Sequence, residues 1–439
     1  MKVMKRLKAS ASSDGLSRRR FLVLVAGSSG ALLAACSQPS ASPPAPTSAP
    51  AAAPPKPSPP PAAAAPSPSP AASPAAAAPE AVAPVAGLID KPIPEAYFVP
   101  LGSNAEMRFE VMAGPRYTTP SSAFFVRDHQ ASVKVDLKSW KLSIEGSGVE
   151  KPFSLTYDDL VKLPARTVTR YLECAGNGRS FYQTLLNRPA QGGQWRLGAY
   201  GIAEWTGVPM SELLNRAGLK QTAREVMPVG LDQPRVRRPM PIEKAMEDDT
   251  LVAYLMNGGP LGVDHGFPAR VLAPGWIGVA SVKWLGSIQV TEEHNAVPWN
   301  TDTYVLIGPD YQPQPPAQGP VINEQVLKSA VALPWPAALP AGSQTVRGYA
   351  WSPAGKIAKV EVSLDGGGTY APATLIEPNI ERAGVRWEFT FDARPGDLTI
   401  TPRATDEKGN TQPNLSQQKW NQQGYIFAAP VPHPVKVSG

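Results

Sequence analysis

The chain has 439 residues, among them 51 prolines and 2 cysteines, and a formal net charge of +6. That charge sits in the first 35 residues, where Lys2, Lys5, Arg6, Lys8, Arg18, Arg19 and Arg20 face only Asp14. The remainder is balanced, which excludes a nucleic-acid footprint, and so few cysteines exclude a disulfide-built scaffold.

At the start, Ser17-Arg18-Arg19-Arg20-Phe21-Leu22 leads into an apolar run ending at Ala35. A charged region, an apolar region too short to span a bilayer, and small residues at its end are the parts of an export signal. The paired arginines fit the twin-arginine type. Leu33-Ala34-Ala35-Cys36 resembles a lipobox, which would make Cys36 the lipidated first residue of the mature protein. The expected product is exported, periplasmic or at the cell surface, and tethered to a membrane by lipid. Residues 37–84 are almost entirely Pro, Ala and Ser, with Lys56 and Glu80 their only charges. Such a segment cannot bury a core and reads as a disordered linker. As polyproline II, at about 3.1 Å per residue, it could reach roughly 150 Å.

The folded body follows. Phe124-Phe125-Val126-Arg127-Asp128-His129 reads as an aromatic pocket wall meeting an anion, or as a strand end with solvated charges. Trp140 to Gly146 alternates as a half-buried strand. Ser154 is placed to cap a short helix holding Leu155, Leu160 and Leu163. Thr167 to Leu172 reads as a strand ending at Glu173-Cys174-Ala175-Gly176-Asn177-Gly178-Arg179. With Cys36 lipidated, Cys174 is the last thiol left. It is either a buried structural cysteine or a soft metal ligand beside an anion pocket closed by Arg179. A thiolate-built zinc site has no second cysteine to use. Trp195 lies among glycines and packs or floors a pocket. Pro209 to Gly218 predicts a helix. Asp232 ends a strand, Asp264-His265-Gly266-Phe267-Pro268-Ala269-Arg270 opens another, and Ser281-Val282-Lys283-Trp284 follows. Singly, each of these has a plain structural account.

Pro and Gln between Pro309 and Pro320 mark a boundary. Beyond it, alternation at Val360, Val362 and Leu364 and at Trp387, Phe389 and Phe391, with turns at Asp365-Gly366-Gly367 and Asp406 to Asn410, predicts an immunoglobulin-like β-sandwich.

Together, Cys174-Ala175-Gly176-Asn177-Gly178-Arg179, the Asp264 to Arg270 run and Val282-Lys283-Trp284-Leu285 resemble the sulfite oxidase family of mononuclear molybdenum enzymes. The resemblance extends over 124–424. It implies an α+β fold: a mixed α/β molybdopterin-binding catalytic domain over 85–319, then an all-β, immunoglobulin-like dimerisation domain over 320–439. It implies a Mo-molybdopterin cofactor with Cys174 as the molybdenum ligand. Phe125, Arg127, Asp128, His129, Asp232, His265, Arg270, Ser281, Val282 and Lys283 are the implied cofactor contacts. Arg127, Arg179 and Trp195 are the implied walls of the oxyanion pocket, with Arg382 or Arg386 as a further arginine. Two departures stand out: Asp128 occupies a position usually Asn, and the pocket tyrosine expected near His294-Asn295-Ala296 is missing, Tyr304 lying too far along. The implied activity is oxidation of sulfite to sulfate in a homodimer that passes electrons to an external c-type cytochrome. Alternatives are a sulfane dehydrogenase or nitrate reductase of the same family, or a cofactor-free surface-binding lipoprotein.

Overall fold

The structure, a computed structural model, describes residues 87–439; the export signal 1–36 with Cys36 and the linker 37–84 lie outside the described residues. Two five-stranded sheets build the first half. One runs Gly259–Pro260, Leu251–Met256, Tyr200–Pro209, Arg166–Glu173, with Arg270–Leu272 also on Leu251–Met256, all antiparallel. The other runs Phe153–Leu155, Leu142–Glu145, Leu285–Thr291, Glu225–Gly230, Met240–Pro241, and its Leu142–Glu145/Leu285–Thr291 pair is parallel.

The strand Arg166–Glu173 explains where the cysteine goes. Its first residues are exposed and its last three are buried, so it runs from the surface inward and delivers Cys174 to the interior. Turn residues then reverse the chain: Gly178 adopts φ +95°, a conformation open to glycine at little steric cost.

Helices are fewer and shorter than a mixed α/β expectation implies. The longest α-helix among the described residues is Met210–Arg216, of 7 residues, entered by Pro209 and stopped before Gly218 at φ +67°. Frequent prolines and glycines interrupt anything longer, so the catalytic half is mostly β. Ser154 is no cap either; it lies in the strand Phe153–Leu155. Thr156 takes that role, its Oγ1 accepting from Asp159 N while Asp159 returns a bond to Thr156 N.

The second half has a four-stranded sheet, Lys328–Val331, Gly342–Trp351, Gly384–Ala393, Thr374–Ile380. Its companion has five strands, Ala337–Pro340, His433–Ser438, Gly396–Asp406, Ile357–Ser363, Ala371–Pro372. Val346, Val385 and Trp387 from the first share one core with Val360, Ile400 and Val435 from the second. Between strands, the stretch from Gln418 to Phe427 folds back on the catalytic half, where Ile426 N donates to Ala175 O at 2.8 Å. No helix of the described residues is long and apolar enough to cross a membrane.

Candidate functional site

Strand ends and turns converge on one cavity that is partly open to solvent. The segment after Phe124 contributes Phe125, Arg127, Asp128 and His129. The inward strand contributes Leu172, Cys174 and Ala175. Asp232 enters from the end of Glu225–Gly230, and the 264–284 stretch supplies Asp264, His265, Arg270, Ser281, Val282 and Lys283. Residues from Phe124 to Tyr304 in the sequence thus meet around a single thiol.

The Cys174 turn is held by its backbone. Cys174 N donates to Ala199 O and Asn177 N to Cys174 O, both at 2.9 Å. Gly176 N points at the sulfur, 3.4 Å away, a contact suited to a thiolate. Cys174 is the free, buried cysteine of the described residues. No group of three or more His, Cys, Asp or Glu among them is arranged to hold a metal ion. A metal at this sulfur would therefore find fewer than three such side chains and must bring further ligands with it.

The cations of the cavity differ in how they are answered. Lys283 Nζ pairs with the Asp128 carboxylate and also donates to Asp264 O at 2.7 Å. Ser132 Oγ lies 2.8 Å from Asp128 Oδ2 and 2.6 Å from Asp264 Oδ1, its one proton serving either. Asp264 is gripped in addition by the backbone amides of Asp90 and Lys91 at 2.7 and 2.8 Å. Lys91 was not legible as a site residue; its ammonium reaches Ser121 O, Phe124 O and the His265 ring, and burial pulls its pKa down to about 7 against the opposing charge of Asp264. Burial also raises the Asp128 pKa, opposed by Lys283, and holds His265 well below its ordinary value.

Arg270 has no carboxylate. It donates to His265 O at 3.0 Å and Ser281 O at 2.9 Å, and burial lowers its pKa to about 9. Arg127 is freer still: among the described residues its guanidinium has neither a hydrogen-bond acceptor nor an ion-pair partner, and it feels Tyr304, Cys174, Tyr425 and the Asp128 carboxylate through space.

Tyr304 overturns one expectation. Though distant from position 294 in sequence, it lines the cavity. The short helix Pro298–Thr301 turns the chain back, Tyr304 takes φ +57°, and its hydroxyl lies 2.8 Å from His129 Nε2. His129 is kept neutral: burial, then the charges of Arg127 and Lys283, push its pKa down to about 2.

Two expected pocket walls sit one layer back. The Arg179 guanidinium is not a lining group; Nε donates to Gln423 O and a terminal nitrogen to Gly193 O, both at 2.7 Å. Gly176 makes this possible, since a Cβ there would fall 2.3 Å from the same guanidinium. The cation lies 5.4 Å from the Tyr425 ring, which stacks on Tyr304 at 5.2 Å. Trp195 is fully buried and meets Phe125 edge-on at 6.3 Å, backing the wall rather than forming it. Neither Arg382 nor Arg386 lines the cavity. Arg382 pairs with Glu247 and Asp249, while Arg386 donates to Pro115 O and Glu377 O.

The match to known proteins follows these halves. Residues 129–299 match the oxidoreductase molybdopterin binding domain and 320–437 the Mo-co oxidoreductase dimerisation domain. The chain is 36% identical to sulfite oxidase of Gallus gallus over 345 residues, 74% of each chain. It is 34% identical to mitochondrial sulfite oxidase of Mus musculus over 71% of its own length, but spans only 60% of that relative. The solved sulfane dehydrogenase SoxCD of Paracoccus pantotrophus superposes with a TM-score of 0.69 at 29% identity, covering 77% of this chain and 85% of that one. The chain therefore belongs to the sulfite oxidase family and is a molybdopterin-dependent oxidoreductase.

Proposed function

We propose that this enzyme oxidises sulfite, or a close sulfur oxyanion, with water as the oxygen source: sulfite and water give sulfate, two protons and two electrons, the electrons passing to an external acceptor such as a c-type cytochrome. The observation that carries it is the placement of an unanswered guanidinium, Arg127, in the same cavity as the lone thiol Cys174. Bound molybdenum would supply the electron-pair sink and the oxygen-atom transfer.

The chain's own residues have separable tasks. Cys174 would hold the metal, as a soft thiolate suits a transition ion. Arg127 would hold the substrate anion through charge-assisted hydrogen bonds, its guanidinium having no carboxylate bonded to it among the described residues. Tyr304 donates its proton to neutral His129 or to the anion, which fixes the anion's orientation without adding charge. Arg270, Lys283, His265 and Ser281, toward the other end, would hold the pterin phosphate, with Asp128 and Asp232 steadying the cations and turns there. Arg179 adds positive potential from behind Tyr425, in a site where little water intervenes.

We further assign export by the twin-arginine route, a lipid anchor at Cys36 and the linker 37–84 as tether. The catalytic domain spans 85–319, and 320–439 is an immunoglobulin-like domain through which two copies pair. A second reading, a sulfane dehydrogenase acting on carrier-bound sulfur, draws on the likeness to SoxCD. Protein from a host making molybdopterin is expected to hold near-stoichiometric molybdenum and to reduce cytochrome c with sulfite. Thiosulfate or a persulfide carrier as the better donor would favour the second reading. Cys174→Ser is expected to express but not to turn over, and normal sulfite oxidation by that variant would overturn both.

A further inference from the structure

Glu173 stands one residue before Cys174 and faces the opposite way. Successive side chains of an extended strand alternate, so as Cys174 enters the cavity Glu173 enters the contact with the C-terminal half, where it is 0% exposed. Its Oε1 accepts from Lys328 Nζ at 2.6 Å and from Asn177 Nδ2 at 2.8 Å. Its Oε2 accepts from Trp351 Nε1 at 2.8 Å. Lys328 Nζ also donates to Asn177 O at 2.8 Å. One buried ammonium thereby ties both ends of the turn that holds the sulfur.

The donors are themselves arranged as a unit. Lys328 and Trp351 are register partners across the antiparallel pair Lys328–Val331 and Gly342–Trp351. A single cross-strand pair of the C-terminal sheet presents both to the carboxylate. Gln325, three residues before Lys328, adds a bond from Nε2 to Glu173 O at 2.7 Å. Burying a carboxylate and an ammonium this deeply is costly, and well-packed apolar residues would hold two halves together at least as well. The charges are better explained by the direction they impose than by the stability they add.

We propose that Glu173, Lys328 and Trp351 form a positioning clamp through which the C-terminal half sets the place of the Cys174 sulfur, so that this half is part of the catalytic apparatus and not only a pairing surface. The proposal rests on Cys174 being the metal's ligand. The test uses the full chain and three variants: Lys328→Met, Glu173→Gln and the two combined. Each single variant strands one buried charge and is expected to melt at lower temperature; the double variant removes both and is expected to melt close to the parent. In that double variant, made without cofactor in a host lacking molybdopterin, iodoacetamide should alkylate Cys174 at least about tenfold faster, as local opening of the turn requires. Peptide mass spectrometry separates this from Cys36. Loaded with cofactor, it should show a shifted electron paramagnetic resonance spectrum of the metal, which altered packing elsewhere would leave unmoved. If the double variant fails to fold, Trp351→Phe removes one donor and keeps the ion pair, and the same two readouts apply. Unchanged alkylation and an unchanged spectrum in a folded variant overturn the clamp. Retention of molybdenum by Cys174→Ser would instead overturn the ligand assignment, leaving the alkylation result to stand by itself.

Discussion

The two ends of the cavity handle positive charge in opposite ways. At the end formed by Asp128, Lys283, Asp264 and Ser132, each ammonium meets a carboxylate or a carbonyl and the cluster is closed on itself. At the thiol end, Arg127 faces Tyr304, the neutral ring of His129 and Cys174, with no acid bonded to it and Asp128 acting only through space. Arg127 is only partly buried and has no hydrogen-bond partner among the described residues, so an anion from solution can complete the site. The paired end keeps its shape by its own contacts, whereas the Arg127 end leaves a cation for an incoming anion.

Arg127→Met strikes the unpaired end directly. It should lower kcat/KM for sulfite by about a hundredfold to a thousandfold, roughly 3–4 kcal/mol, while molybdenum content stays at the parent level. Loss of metal instead would assign Arg127 to the cofactor. At the paired end, Lys283→Met should do the reverse. It leaves Asp128 buried without its partner, which costs about 3–5 kcal/mol of folding stability in a denaturant titration before substrate is considered. Tyr304→Phe keeps the ring and its stack on Tyr425 but removes the hydroxyl shared with His129. Turnover should fall about tenfold, near 1.4 kcal/mol, measured in steady state with sulfite. Asp128→Asn tests whether the carboxylate tempers the cavity. With the charge gone and the shape kept, KM for the anion should drop by a factor of about two to five, an advantage that shrinks at high salt.

The last prediction concerns stability against pH and not activity. His129 and His433 are both depressed by burial, to about 2 and about 4. Unfolded, each takes up a proton near pH 6.5 that the native state refuses, so their contribution is complete above that pH and drains away as pH falls. Each should remove about 1.4 kcal/mol of stability per pH unit, from about 6 down to its native value. His433, 2.9 Å from Pro334 O in the C-terminal half, stops contributing below about 4. Urea titrations of the parent and His433→Gln between pH 7 and 4 measure the difference in slope.

How much of this was legible depends on how locally each feature is determined. The inward strand, the Cys174 turn and the segments after Phe124 and Asp264 announce themselves in contiguous residues, and the structure brings them to one cavity. Tyr304 did not, because its position follows from a chain reversal at Pro298–Thr301 that linear spacing cannot measure. Arg179 was visible as a cation beside the thiol. Its direction was not, because the carbonyl that turns it away belongs to Gln423, more than two hundred residues downstream. The same reason hid Glu173, which read as an ordinary strand residue until Lys328 and Trp351 arrived from the other half. Ser154 was expected to start the helix, but the reciprocal bonding with Asp159 places the cap two residues later, at Thr156.

The grip of Asp90 and Lys91 on Asp264 carries one more meaning. These amides supply two of the three bonds holding that carboxylate, the third coming from Ser132. The first described residues thus join the body at a wall of the cavity, through Asp264. Removal of the chain up to Gly87 should leave that wall in place, whereas a cut a few residues further in should unlatch it.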